Sequence, residues 1–226
     1  MHTLDARLTA VYEAIPNGAS VADVGTDHAF LAVAVIKCGK AKSVIACDIN
    51  KKPLENAQKT LTRSNCNQVS LRLSDGLENI AEGEADCIVI AGMGGEVISG
   101  ILGRCPYIKD SGITLVLQPM TGADILRRFL CENGFEIVYE KAVAQGKRIY
   151  TIITARYCTY PIVCDDAFFI HGKLDPKRDE DSLYLKKQQR ILKKCVDDLE
   201  NVAAKREQYK EYKSLYEKIT NYIKVN

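Results

Sequence analysis

Through its first 156 residues the chain alternates between two patterns. Short, nearly unbroken apolar runs are separated by stretches whose apolar positions recur every three or four residues. The first pattern predicts buried strands and the second amphipathic helices. Leu4, Leu8, Val11, Tyr12 and Ile15 fall at helical spacing and predict an opening helix, closed by Pro16-Asn17-Gly18. Strands are expected at residues 20–23, 43–48, 69–73, 85–91 and 113–117. Helices are expected at 28–38, 53–64, 96–102 and 123–131, with Pro53 in a first turn where its missing N–H is harmless. Residues 135–141 and 148–156 predict two more strands joined by a turn at Gln145-Gly146-Lys147, hence an antiparallel pair. Five strands alternating with helices predict an α/β fold with a parallel sheet and right-handed crossovers, apolar on both faces because helices cover both.

The pattern changes near Tyr160, which divides a domain at 1–160 from one at 161–226. Asp175-Pro176-Lys177-Arg178-Asp179-Glu180-Asp181 has the composition of a charged linker, and from Ser182 onward there is neither glycine nor proline. Leu185, Leu192, Cys195, Leu199 and Val202 follow seven-residue logic, and Tyr209, Tyr212, Tyr216, Ile219 and Ile223 resume it in another phase. Two heptad runs with a phase break at 204–208 fit a helical hairpin, with one long helix in a dimeric coiled coil as the competing arrangement.

A net charge of +2 gives no global pull toward nucleic acid, so any basic surface must be local. The positive excess lies in the tail: residues 173–226 hold 14 Lys and Arg against 10 Asp and Glu. Nine scattered cysteines without a C-x-x-C pair predict reduced thiols in a cytoplasmic protein, neither a disulfide scaffold nor a metal site. The amino terminus, Met1-His2-Thr3-Leu4-Asp5, has no basic-then-apolar signal, and no apolar stretch approaches the roughly 20 residues that span a membrane.

Candidate chemistry gathers where strands are expected to end. Asp23 and Gly25 close the first strand, and Asp48 closes the second, followed by Ile49. A glycine there lets backbone approach a ligand, and an acid at the second strand end accepts from a pair of ribose hydroxyls. A G-x-G-x-x-G fingerprint would need glycine where Asp27 and Phe30 stand, which argues against a pyrophosphate and for a nucleoside-type cofactor. Asp75 and Gly76 end the third strand, either as a plain turn or with the acid accepting from an adenine amino group. Ala91-Gly92-Met93-Gly94-Gly95 follows the fourth, as a tight turn or as backbone open to a ligand. Asp27 either caps the next helix or faces the reacting groups, and His28 either starts that helix at a pocket mouth or caps it. Arg7 either reaches a cofactor carboxylate or is a solvated charge.

Asp23-Val24-Gly25-Thr26-Asp27-His28-Ala29-Phe30-Leu31, Ile90-Ala91-Gly92-Met93-Gly94-Gly95 and Leu117-Gln118-Pro119 resemble the TrmK family, as do Arg7-Leu8 and Gly146-Lys147-Arg148-Ile149-Tyr150. The resemblance departs from the family's usual pattern at Asp48, Met120 and Thr151. It implies a class I S-adenosylmethionine (SAM)-dependent methyltransferase, Rossmann-like, with antiparallel closing strands and a C-terminal helical, coiled-coil-like domain. It further implies 1-methyladenosine formation at adenine 22 of tRNA. Carried over residue by residue, it places Arg7, Asp23, Gly25, Thr26, His28, Asp48, Ile49, Asp75, Gly76, Ala91, Gly92, Met93 and Gly94 around SAM.

No Asn/Asp-Pro-Pro-aromatic motif follows the fourth strand, so an exocyclic amine is not the expected target. A ring nitrogen such as adenine N1 has a free lone pair and needs no general base. Its methylated product is cationic, and Asp27 is the candidate catalytic carboxylate to stabilise it. The basic tail is expected to meet tRNA phosphates, giving strong salt dependence. The residues alone leave open a class I enzyme acting on a small molecule or protein, its tail serving dimerisation. A monomer that binds neither membrane nor metal is the favoured form.

Overall fold

Alternation of apolar side chains across two covered faces decides the centre of the molecule. In the computed structural model, residues 4–110 and 112–225 are described. Residues 1–3 of the amino-terminal stretch lie outside them. Seven strands form one sheet in the order β3-β2-β1-β4-β5-β7-β6. They are β1 (Ala19–Val24), β2 (Ala41–Asp48), β3 (Val69–Leu73), β4 (Cys87–Met93), β5 (Thr114–Pro119), β6 (Phe135–Gln145) and β7 (Arg148–Tyr157). The first five run parallel, and β7 pairs antiparallel with both β5 and β6.

Central strands are buried on both sides. On β4, Cys87 and Val89 face one core while Ile88 and Ile90 face the other; on β5, Val116 opposes Leu115 and Leu117 in the same way. Helices α1 (Ala6–Ala14), α2 (Phe30–Lys37) and α3 (Lys51–Ser64) cover the first face. Helices α4 (Gly95–Gly103) and α5 (Ala123–Glu132) cover the second. Each fully buried Leu or Ile contributes about 1.5–3 kcal/mol, so this double layer carries most of the driving force.

The expected strands are all present, but several boundaries move. Strand β4 continues through Gly92 to Met93, with an irregular register against β5 between Ala91 and Met93. Helix α2 begins at Phe30, two residues later than expected, because Ala29 takes a left-handed backbone (φ 54°) and ends the preceding loop. The β6–β7 turn is shorter than expected: Gln145 pairs with Arg148, leaving Gly146 (φ 59°) and Lys147 as a two-residue hairpin loop.

Beyond β7 the chain turns through α6 (Asp166–His171), which the sequence pattern did not predict, into α7 (Asp179–Leu199) and α8 (Arg206–Val225). α7 and α8 pack as a hairpin, joined by the Gln189–Thr220 hydrogen bond at 2.8 Å. Ile219 and Leu192 are buried with Ala167 of α6 between the helices, so the apolar faces find partners within the chain. Val202 lies in the turn between the helices and not on the buried seam.

The segment expected to be a charged linker is in part an anchor. Asp181 is 1% exposed and accepts from the backbone N–H of Ala142 on β6 (2.6 Å) and of Asp175 (2.9 Å). Arg178 adds an ion pair to it at 2.6 Å. A second tie is the wholly buried pair Arg127–Glu140, 2.7 Å apart. Arg127 also donates to the carbonyls of Phe169 and Ile170, and Glu140 accepts from the N–H of Lys173. Burial alone disfavours the Arg127 charge, yet the Glu140 carboxylate outweighs it and leaves the guanidinium more firmly protonated than usual. One cysteine expectation is corrected. Cys131 at the end of α5 and Cys164 just before α6 are joined as a disulfide, with Cα atoms 6.7 Å apart, because α6 packs against α5. The other seven cysteines are free thiols.

Candidate active site

The C-terminal ends of β1 and β4 open a cavity of about 330 Å³ between α1 and the start of α2. Arg7, Asp23, Gly25, Thr26, Asp27, His28, Ala91 and Gly92 line it, together with Leu8, Ala29, Phe30 and Leu31. It forms where parallel strands splay apart around a strand-order reversal, since β1 pairs with β2 on one side and β4 on the other.

The turn after β1 is held by its neighbour. The N–H groups of Gly25 and Thr26 both donate to the carbonyl of Cys47, at 2.8 and 2.9 Å. Gly25 has φ +83°, and a Cβ there would run into the Met93 methyl. A side chain at 25 is thus excluded twice, by backbone conformation and by space. Asp23 lies behind this turn, 7% exposed. Burial raises its carboxyl to a pKa of about 6, against which a hydrogen bond with Thr26 acts.

Across the cavity, Arg7 is positioned by a residue to which the sequence pattern assigned no role. Gln118 is fully buried at the end of β5. Its Oε1 accepts from Arg7 Nη1 at 2.7 Å and from the Gly92 N–H at 3.1 Å, while its Nε2 donates to the Pro119 carbonyl at 2.8 Å. Arg7 is therefore not a solvated charge. Gly92 (φ +87°) lies beside it, and a Cβ at 92 would stand 3.7 Å from Nη1.

Asp27 and His28 occupy the mouth. His28 Nε2 is 3.3 Å from Asp27 Oδ2, and the Asp27 side chain is 72% exposed. The His28 ring stacks on Phe30, centroids 5.1 Å apart. No side chain caps α2, so neither Asp27 nor His28 is a helix cap, and His28 does not start the helix.

The remaining candidates stand around the cavity without lining it. Asp48 ends β2 beside Cys47, with one oxygen accepting from the Asn50 N–H at 2.7 Å; the Ile49 side chain is exposed. Met93 and Gly94 form the wall behind Gly25 and the cap of α4. Asp75 turns to a separate cleft of about 280 Å³, where Arg104 donates to it at 2.9 Å. Gly76 (φ +57°) lies against Ile101 and accepts from Ser74 Oγ at 3.0 Å. Among the described residues, no group of three or more His, Cys, Asp or Glu is arranged to hold a metal ion, and no helix is long and apolar enough to cross a membrane.

Residues 4–153 match the family described as "Methyltransferase domain". Over 189 residues the chain is 34% identical to the tRNA (adenine(22)-N(1))-methyltransferase of Bacillus subtilis (strain 168), covering 81% of this chain and 79% of the relative. The chain belongs to the TrmK family. The crystal structure of the B. subtilis m1A22 tRNA methyltransferase TrmK superposes with a TM-score of 0.84 at 30% identity, covering 98% of this chain and 99% of the other. M. capricolum TrmK, solved with the cofactor product S-adenosyl-homocysteine, superposes at 0.82 and 26% identity, covering 98% of both chains. The TrmK match spans the helical tail as well as the sheet.

Proposed function

We propose that this protein transfers a methyl group from SAM to N1 of adenine 22 in tRNA. The observation that carries the proposal is the Arg7–Gln118–Gly92 cradle facing Asp23 and Gly25 at the sheet edge. It offers a fixed cation, an open backbone and a buried acid, which suits an amino-acid cofactor bearing a carboxylate and cationic nitrogen and sulfur. Family membership supports it: a relative 34% identical carries this activity in its name, and a structural relative holds S-adenosyl-homocysteine.

The residues fit SAM as follows. Arg7 would meet the cofactor carboxylate, with Asp23, Gly25, Thr26 and the backbone of Ala91 and Gly92 around its amino-acid end. Asp48 and Ile49 would take the ribose. Asp75 and Gly76 would take the adenine once Arg104 releases the carboxylate, with Met93 and Gly94 supporting from behind. SAM, when bound, supplies an electrophilic methyl group. His28 sits at the mouth beside Asp27, whose carboxylate would stabilise the positive charge that develops on the methylated base. Residues 161–226 would hold tRNA as a helical domain whose internal packing leaves the protein a monomer. Its setting would be the cytoplasm.

The test is incubation with labelled SAM and unmodified tRNA, followed by mapping of the modified nucleotide. Label at N1 of adenine 22 is expected. Label elsewhere, or none, would overturn the proposal.

A further inference from the structure

A second cleft, of about 230 Å³, opens where the helical tail meets the sheet edge, beside the cavity just described. The two share a wall. Gln118 bonds Arg7 on the cavity side and approaches Met120 Sδ, in the cleft lining, at 3.7 Å. The Gly95 N–H bonds the carbonyl of Thr121, another lining residue, at 2.8 Å.

Three features of this cleft converge on one ligand chemistry. First, the N-terminus of the ten-residue helix α5 opens into it through Gly122, Ala123 and Asp124. Gly122 is the cap residue and no side chain satisfies the helix end. The first N–H groups of a helix have no acceptor within it and carry partial positive charge. Second, Thr151 of β7 is among the residues lining the cleft, is 1% exposed, and its buried hydroxyl has no hydrogen-bond partner. A buried hydroxyl left unpaired is costly, so its persistence points to a partner that arrives. Third, Lys187 reaches the same cleft from α7.

We infer that this cleft binds a backbone phosphate of the substrate tRNA next to the target adenine, with the α5 N-terminus, Thr151 and Lys187 as its donors. The inference rests on the tRNA reading above. Helix N-termini and lysine ammonium groups are standard phosphate partners. Exposed Asp124 stands in the first turn of α5, so Lys187 also offsets a like-charged neighbour of the phosphate. Because Thr151 belongs to the sheet and Lys187 to the tail, one phosphate would fix the two parts on the RNA together and set the depth to which the target base enters.

The test uses the full chain, with K187A and T151V made separately. Methylation is followed at varied tRNA and salt concentrations, and SAM affinity is measured by calorimetry. Each variant is expected to raise KM for tRNA by about ten-fold, with little of the loss in kcat and no change in SAM affinity. K187A should also flatten the dependence of log affinity on log salt by about one. Phosphorothioate at the phosphates flanking adenine 22 should weaken the native protein and leave T151V unaffected. Lys187 is exposed, so its variant tests the site even if T151V folds poorly. Native methylation of tRNA with unchanged KM and salt slope in K187A would overturn the phosphate site alone. No methylation of tRNA by the native protein would overturn the functional reading and this site together.

Discussion

Arg7 on α1 and Gln118 on β5 meet at 2.7 Å across 111 positions of chain, and the same carboxamide oxygen accepts from the Gly92 N–H. One buried acceptor thus fixes both the cation and the open backbone of the cradle. Replacing Gln118 with Leu keeps the volume but leaves the Gly92 N–H and Arg7 without their acceptor. The expected result is a fall in SAM affinity of about ten-fold and a loss of about 1–3 kcal/mol in stability. Calorimetry and denaturant unfolding measure the two, and an unchanged SAM affinity would remove Gln118 from the site.

Asp27 is predicted to act on turnover and not on cofactor binding. Its carboxylate stands at the cavity mouth, away from the Arg7 cradle, and it caps no helix. Asp27→Asn keeps the shape and removes the charge, and should lower kcat by about a hundred-fold, the scale of losing one preorganised electrostatic group. SAM affinity and melting temperature should stay near native. A variant with native kcat would exclude Asp27 from charge stabilisation.

The sheet was legible because the central strands are nearly unbroken apolar runs between helical patterns, as in Cys87 to Ile90 and Leu115 to Leu117. The strand-end acids and glycines were legible because this fold uses strand ends as its ligand edge. Gln118 stands inside the Leu117-Gln118-Pro119 motif, but its role depends on Arg7 and Gly92, which are distant in sequence. Asp181 had the composition of a linker, and only the nearby backbone of β6 makes it a buried anchor. The left-handed turn at Ala29 shortened α2 without any glycine to announce it. The Cys131–Cys164 pairing depends on the docking of α6, a six-residue helix too short to leave a periodic signature.

Asp23 should give the protein an acid-side gain in stability. Burial raises its folded-state pKa to about 6, above the value of about 3.9 for an unfolded aspartate. Between these two values the folded state binds more protons than the unfolded one, so stability falls as pH rises from about 4 to about 6. Above that window the ionised carboxylate is held buried at full penalty, on the order of 3 kcal/mol from two pKa units. Asp23→Asn carries no such charge and should flatten that fall. Urea unfolding of both forms at pH 4, 5, 6 and 7 checks this, and parallel curves would show that Asp23 does not titrate in that window.

The Arg127–Glu140 pair should behave as a latch between the sheet and the tail. Both side chains are wholly buried, and their remaining hydrogen-bonding groups are taken by Phe169, Ile170 and Lys173 of the tail. Arg127→Met leaves Glu140 charged and unmatched, which should destabilise by about 3–5 kcal/mol. Adding Glu140→Leu removes the unmatched charge and should recover part of the loss. Recovery should stay incomplete, because two carbonyls and the Lys173 N–H still lack partners. A double mutant whose loss equals the sum of the two single losses would show that the residues do not act as a pair. Because the latch holds α6 and the segment after it against α5 and β6, the single variant should also lose tRNA affinity before SAM affinity. Equal loss of both would instead mean that the sheet itself has been disturbed.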